Sequence, residues 1–259
     1  MSSVSKDTIL EFEHAGFSYE RGKPFMEGVS FSIGTGEFIG LLGANGSGKS
    51  TILKLGSGIL RTSTGSVKLW NKPLGSYRHK DRAKLLSYLP QLLDLQIPFT
   101  VRQLVGMGMY PYDIPPGLSV DDAIEMVGLT PNSGTPITNL SGGERRRVYI
   151  AMTLLQGAGL VLLDEPLANL DIKYRIELLR LLRELKEKRN ITIVMALHDI
   201  NMAMQFEKIM LIREGRILAI GKPSAVLTDD LIKQAFDLDV EIKRADSGET
   251  YIKYQTLNS

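Results

Sequence analysis

Residues 43–50 read Gly-Ala-Asn-Gly-Ser-Gly-Lys-Ser and match G-x-x-x-x-G-K-[ST], a composition suited to holding phosphate. Gly43, Gly46 and Gly48 carry no Cβ, so backbone N–H groups can converge on phosphate oxygens without steric cost. Lys49 adds a mobile positive charge for β- and γ-phosphates. The Ser50 hydroxyl is a hard oxygen ligand for Mg²⁺. Such a loop needs a strand before it and a helix after it. Residues 37–42, Glu-Phe-Ile-Gly-Leu-Leu, are apolar enough for a strand buried on both faces. Residues 49–56 read as a helix whose positive dipole end meets the same anion. Alone, the motif leaves kinases, GTPases and many ATPases open.

Three further segments carry groups of the same chemistry. Residues 159–165, Gly-Leu-Val-Leu-Leu-Asp-Glu, form a buried strand ending in two carboxylates. Asp164 is placed to hold Mg²⁺ through water, and Glu165 to polarise an attacking water. Residues 191–197 form another apolar strand, and His198 follows it. Gln91 follows a third strand candidate, 85–89. Gly43, Gln91, Asp164 and His198 thus each stand just past the carboxyl end of a predicted buried strand, where open parallel sheets bind ligands. Ser141-Gly142-Gly143-Glu144 fits a capping box opening a helix over 141–156. Two glycines weaken a first turn without serving the cap, and they make sense if another molecule's phosphate approaches there. Arg145, Arg146 and Arg147 follow. By themselves they read as a solvated face, although a bound anion would offset their conflict with the helix dipole.

In this order, these residues resemble the ATP-binding cassette (ABC) ATPases over residues 8 to 240 or so. The loop Gly43, Ala44, Asn45, Gly46, Ser47, Gly48, Lys49, Ser50, with Thr51 after it, resembles the Walker A motif, and Leu160–Glu165 resembles Walker B. Gln91 resembles the Q-loop glutamine, Leu140–Glu144 the signature, Asp171 the D-loop aspartate and His198 the switch histidine. Tyr19 resembles the aromatic residue that stacks on adenine. Ala44 stands where many members carry proline, Glu144 replaces a commoner glutamine, and Leu167-Ala168-Asn169 replaces a frequent Thr-Ser-Ala. The resemblance implies ATP and Mg²⁺ as ligands, with Ser50, Gln91 and Asp164 around the metal. It implies Glu165, His198, Lys49 and Gln91 as the catalytic set. It also implies a head-to-tail pair of identical chains, in which Ser141 and the Gly143 backbone of one complete the γ-phosphate cage of the other.

The fold expected is α/β: a mixed, mostly parallel P-loop NTPase core with an N-terminal antiparallel β subdomain and an inserted α-helical subdomain. The 259 residues then form a single ABC domain. Residues 1–90 and 158–259 make the core with its β subdomain, and 91–157 the helical lobe carrying the signature. Strands are expected near 8–13, 28–33, 37–42 and 65–70. Helices are expected at 100–108, 119–128 and 172–188, a hairpin at 208–220 and a short final strand at 251–254. Six prolines fall between 91 and 140. The net charge of +2 gives no argument for nucleic acid. The chain has no cysteine, so neither disulfides nor a thiol metal site can form. The opening Met-Ser-Ser-Val-Ser-Lys-Asp-Thr does not read as a signal peptide, and no apolar stretch is long enough to span a membrane.

Within the family, 197–203, 214–223, 226–232 and 99–112 are similar to the importers of iron–siderophores, haem and cobalamin. This implies an ATPase subunit peripheral to the cytoplasmic face of the cell membrane. Its partners would be a second copy of itself, a separate permease and, indirectly, a substrate-binding protein. Met107, Met109, Tyr110 and Tyr112 would suit an adaptable groove for a permease helix, or else fill the small lobe's own core. A soluble switch of the iron–sulfur assembly type is the alternative. A repair-type member would need a long coiled coil between Gln91 and Ser141, for which there is no room.

Overall fold

The computed structural model describes residues 8–91, 98–113, 117–168, 170–244 and 250–254. Its elements begin with β1 (Thr8–Phe17), β2 (Met26–Gly34), β3 (Phe38–Leu42), α1 (Lys49–Ser57), β4 (Thr64–Leu69), β5 (Lys72–Pro73), α2 (His79–Leu85), β6 (Leu86–Leu89), α3 (Val101–Gly106) and α4 (Val120–Met126). There follow α5 (Gly142–Leu155), β7 (Leu160–Leu163), α6 (Ile172–Arg189), β8 (Thr192–Leu197), α7 (Ile200–Ala203), β9 (Lys208–Arg213), β10 (Arg216–Gly221), α8 (Pro223–Val226), α9 (Asp229–Phe236), β11 (Val240–Arg244) and β12 (Thr250–Tyr254). The backbone divides into two compact units, Met1–Pro73 with Val194–Ser259, and Leu74–Ile193.

The first unit holds an antiparallel sheet in the order β2-β1-β4-β5. Its apolar pairs face each other in register, Leu10 opposite Ile33 and Phe12 opposite Phe31. The Phe12 and Phe31 rings stack with centroids 4.4 Å apart. Val29, Phe31 and Ile33 alternate with exposed residues along β2, the period-two pattern of a half-buried strand. Four further strands of this unit run β10-β9-β3-β8, and β11 pairs antiparallel with β12 in a two-stranded sheet. All five residues of β3 are buried, as its uninterrupted apolar run requires. β3 pairs in parallel with β9, Gly40 opposite Ile209. A side chain at Gly40 would meet Ile209 Cδ1 at 2.8 Å and Leu197 Cδ1 at 3.0 Å, so the strand is wedged between its neighbours. β9 and β10 form the expected hairpin, turning at Glu214 and Gly215 with φ of 48° and 73°.

The second unit pairs β6 with β7 in parallel, Leu89 opposite Leu163. Three of its helices open with complete capping boxes, Thr100 with Gln103, Ser119 with Asp122, and Ser141 with Glu144. α5 buries Val148, Tyr149, Ile150 and Ala151, and α6 buries Leu178, Leu179, Leu182 and Leu185 on one stripe. Each such leucine contributes roughly 1.5–3 kcal/mol of apolar burial. The expected 100–108 helix ends as α3 at Gly106 and continues as a 3-10 turn over Met107–Met109. α2 is an addition to the expected elements. The described residues contain no helix long and apolar enough to cross a membrane.

Candidate active site

The glycine-rich loop leaves β3 at Leu42 and enters α1 at Lys49. Gly43 is the residue on which the loop's shape depends. A Cβ there would stand 2.2 Å from the Ile212 carbonyl and 2.6 Å from Ser47 Oγ. The Lys49 ammonium donates to the Gly43 and Ala44 carbonyls at 2.7 and 3.0 Å, folding its charge back over the loop. Ser47 N–H closes the turn onto the Ala44 carbonyl at 3.1 Å, and Gly215 N–H donates to the Ser47 carbonyl at 2.8 Å. Ser47 Oγ is buried with no partner among the described residues. A buried hydroxyl costs free energy unless an acceptor meets it, and a phosphate oxygen is such an acceptor. Asn45 and Gly46 are exposed. Tyr19 is 62% exposed, and its hydroxyl shares a 2.6 Å hydrogen bond with Thr51 Oγ1. Phe17 and Phe25 meet the Tyr19 ring edge-on at 4.7 and 5.4 Å and fix its plane. His198 follows β8, next to β3 in the same unit, and is exposed.

In the second unit, Gln91 follows β6, and Asp164 and Glu165 follow its parallel neighbour β7. Both carboxylates are buried. The Gln91 amide donates to Glu165 Oε2 at 2.7 Å, and the Tyr88 hydroxyl donates to Asp164 Oδ2 at 3.3 Å. Asp164 N–H donates to the Leu89 carbonyl at 2.8 Å, tying the two strand ends together. Glu165 adopts φ 49°, a left-handed conformation that costs a non-glycine residue about 1 kcal/mol or more.

Ser141, Gly142, Gly143 and Glu144 begin α5. Ser141 Oγ accepts from Glu144 N–H at 3.2 Å, and the Glu144 carboxylate accepts from Ser141 N–H at 2.9 Å and from its hydroxyl at 2.8 Å. These bonds hold the Glu144 carboxyl below its ordinary pKa, the backbone donor counting most. Ser141 and Gly142 are exposed, and nothing stands within 4 Å of where a Gly142 side chain would begin. Asp171 is exposed at the N-cap of α6 without a side-chain cap bond.

A family model described as ABC transporter matches residues 26–168. The chain is 38% identical to the iron(3+)-hydroxamate import ATP-binding protein FhuC of Bacillus subtilis, over 90% of this chain and 89% of that one. It is 35% identical to the hemin import ATP-binding protein HmuV of Rhodopseudomonas palustris strain HaA2, over 95% and 97%. The chain belongs to the ABC transporter family. It is an ABC ATP-binding protein, and the members of that class are ATP hydrolases. Its fold is also similar to the dimeric structure of the ATP-binding cassette MJ0796 in a post-hydrolysis state bound to ADP and Pi. That similarity has a TM-score of 0.75 and 25% identity, and covers 83% of this chain and 99% of that one.

Seen as an ABC cassette, the first unit brings Tyr19 and the 43–51 loop together through Thr51, and the second brings together Gln91, Asp164 and Glu165. Asn169 of the Leu167-Ala168-Asn169 stretch lies outside the described residues. The arginines of α5 require a correction. Arg146 is not on a solvated face: it is 7% exposed. Its guanidinium donates to the carbonyls of Pro90 at 2.8 Å, Gln91 at 3.1 Å, Asp164 at 2.7 Å and Pro166 at 3.4 Å. Burial pulls the Arg146 pKa below its ordinary value, against the opposing pull of the Asp164 and Glu165 charges. Arg147 is half-buried. It donates to the Val127 and Gly128 carbonyls at 2.8 and 3.2 Å and lies 4.2 Å from the Tyr174 ring centre. A run of three arginines carries no mark of which one turns inward. The one available hint is the 3.6-residue period, which places Arg146 on the side of Ile150 and Thr153, both buried.

Proposed function

We propose that the chain is the ATP-hydrolysing subunit of a multi-subunit importer for metal chelates of the iron–siderophore, haem or cobalamin class. In this reading it sits at the cytoplasmic face of the cell membrane beneath a separate permease, which a substrate-binding protein supplies. The observation that carries it is the 38% identity, over 90% of the chain, to an ATP-binding protein of iron(3+)-hydroxamate import.

Hydrolysis proceeds by in-line attack of water on the γ-phosphate. Lys49 and the backbone N–H groups of 43–51 hold the β- and γ-phosphates, and Tyr19 stacks on the adenine. Glu165 orients the water and takes up its proton, with Gln91 holding the carboxylate at the required angle. Ser50, Gln91 and Asp164 offer a hydroxyl, an amide oxygen and a carboxylate, the hard oxygen donors that suit Mg²⁺. When bound, that ion neutralises charge on the phosphate oxygens. His198 contacts the γ-phosphate and relays its presence to the partner chain. Ser141 and Gly143, beside Gly142 and Glu144 at the start of α5, complete the γ-phosphate cage of the second copy, and Asp171 lies at the contact between copies. Residues 91–157 act as the helical lobe, with Met107, Met109 and Tyr110 receiving the permease and Tyr112 packed into the lobe through its bond to the Gln156 carbonyl.

The test is uptake in cells lacking the gene. Uptake of one labelled metal chelate (a ferric hydroxamate, haem or cobalamin) is lost, is restored by the unsubstituted chain, and is not restored by Glu165→Gln. Unchanged uptake of all three would overturn the reading.

A further inference from the structure

Arg146 is the one buried arginine among the described residues, and the carbonyls it binds come from two short segments. Its Nη1 reaches Pro90 and Gln91, where β6 gives way to the Q-loop; Nη2 and Nε reach Asp164 and Pro166, the residues on either side of Glu165. A desolvated guanidinium is costly unless its donors are satisfied, and here main-chain oxygens accept from it. The two segments it joins also carry the Gln91–Glu165 side-chain bond. The backbone at Glu165 holds a left-handed φ, a conformation that persists only where surroundings enforce it.

We infer that Arg146 is a positioning residue for ATP hydrolysis, its planar fork setting the Q-loop and Walker B main chains so that Gln91 and Glu165 hold their catalytic geometry. Arg146 sits in the second turn of α5, whose first turn is Ser141 to Glu144. It therefore links the helix that meets the partner's nucleotide to the general base of its own chain. This rests on the ATPase reading above. The fork is the essential feature: an ammonium at the same place keeps the charge but cannot span both segments.

The experiment compares full-length Arg146→Lys and Gln91→Ala, singly and combined, in steady-state ATP hydrolysis. Hydrogen exchange at 89–91 and 164–168 is followed in parallel. Arg146→Lys lowers kcat about tenfold and leaves the KM for ATP within about twofold, as expected when only transition-state geometry suffers. Exchange quickens in both segments and stays unchanged in the later turns of α5. Adding Gln91→Ala costs less than about twofold beyond the larger single effect, because the two residues act as one unit. A kcat for Arg146→Lys within twofold of the unsubstituted chain would overturn the inference, as would effects that multiply or exchange that does not change. If Arg146→Lys does not fold, Arg146→Gln takes the same measurements. Failure of both to fold would assign Arg146 to stability alone and overturn the proposal. An unsubstituted chain that hydrolyses no ATP would instead sink the ATPase reading, and exchange would still test the clamp.

Discussion

Gln91 donates its side-chain amide to Glu165 Oε2 at 2.7 Å, across the ends of two parallel strands. Glu165 is the group assigned to the attacking water, and Gln91 the group that holds its carboxylate. The two should therefore differ in kinetic signature. Glu165→Gln abolishes the base and lowers kcat by about 100-fold or more. Gln91→Ala leaves the base present but loose, and lowers kcat by about tenfold. Both keep ATP affinity within a few-fold by direct titration of the nucleotide. Equal hydrolysis by Glu165→Gln and the unsubstituted chain would remove Glu165 from its role.

Tyr19 has two separable functions, a ring face and a hydroxyl. The hydroxyl bonds Thr51, while the ring is held on edge by Phe17 and Phe25. Stacking of a base on an aromatic face is worth about 1–3 kcal/mol, so Tyr19→Ala weakens ATP binding roughly tenfold or more. Tyr19→Phe keeps the ring and changes affinity only slightly. Isothermal titration separates the two; equal losses for both would favour the hydroxyl over the ring.

The cap of α5 titrates. Donation from Ser141 lowers the Glu144 pKa in the folded chain, so folding favours the ionised carboxylate. The resulting stability is present above the unfolded value, about 4.3, and is lost as pH falls through the lower folded value. Glu144→Ala removes the N3 half of the capping box and destabilises by about 0.3–1.5 kcal/mol near neutral pH. Thermal melts of this variant and the unsubstituted chain converge as the pH is taken below the folded pKa. A constant difference down to pH 3 would show that ionisation plays no part.

Tyr110 is 77% exposed beside Met107 at 43%, and the Lys80 ammonium lies 5.3 Å from the Tyr110 ring centre. Tyr112 turns inward and donates to the Gln156 carbonyl at 2.9 Å. Tyr110 and Met107 are thus the residues open to the proposed permease, while Tyr112 serves the lobe itself. Tyr110→Asp lowers chelate uptake several-fold, whereas ATP hydrolysis by the chain alone stays near normal. Unchanged uptake would remove Tyr110 from the docking surface.

Much of the fold was legible because its signals are local. The all-apolar run at β3, the alternation along β2 and the Ser-x-x-Glu start of α5 each follow from periodicity or capping. The glycine-rich loop between β3 and α1 was legible for the same reason. What stayed hidden depends on contacts distant in sequence. Arg146 meets Pro90 and Asp164, 56 and 18 residues away, and nothing in Arg-Arg-Arg reports those partners. The left-handed backbone of Glu165 was equally silent, since only surrounding structure holds a glutamate there. α2 went unmarked because its seven residues bury none of their number, leaving no apolar stripe to read.

In the proposed mechanism, ATP lies between the phosphate loop of one chain and the α5 start of another. The chain has no cysteine, so introduced thiols report one contact only. Ala44→Cys in one Glu165→Gln chain is mixed with Gly142→Cys in a second, and a short bifunctional thiol reagent is added with and without Mg²⁺-ATP. A product of twice the chain mass is expected to form with ATP and not without it. Absence of that product at every reagent length, with ATP bound, would contradict the mechanism.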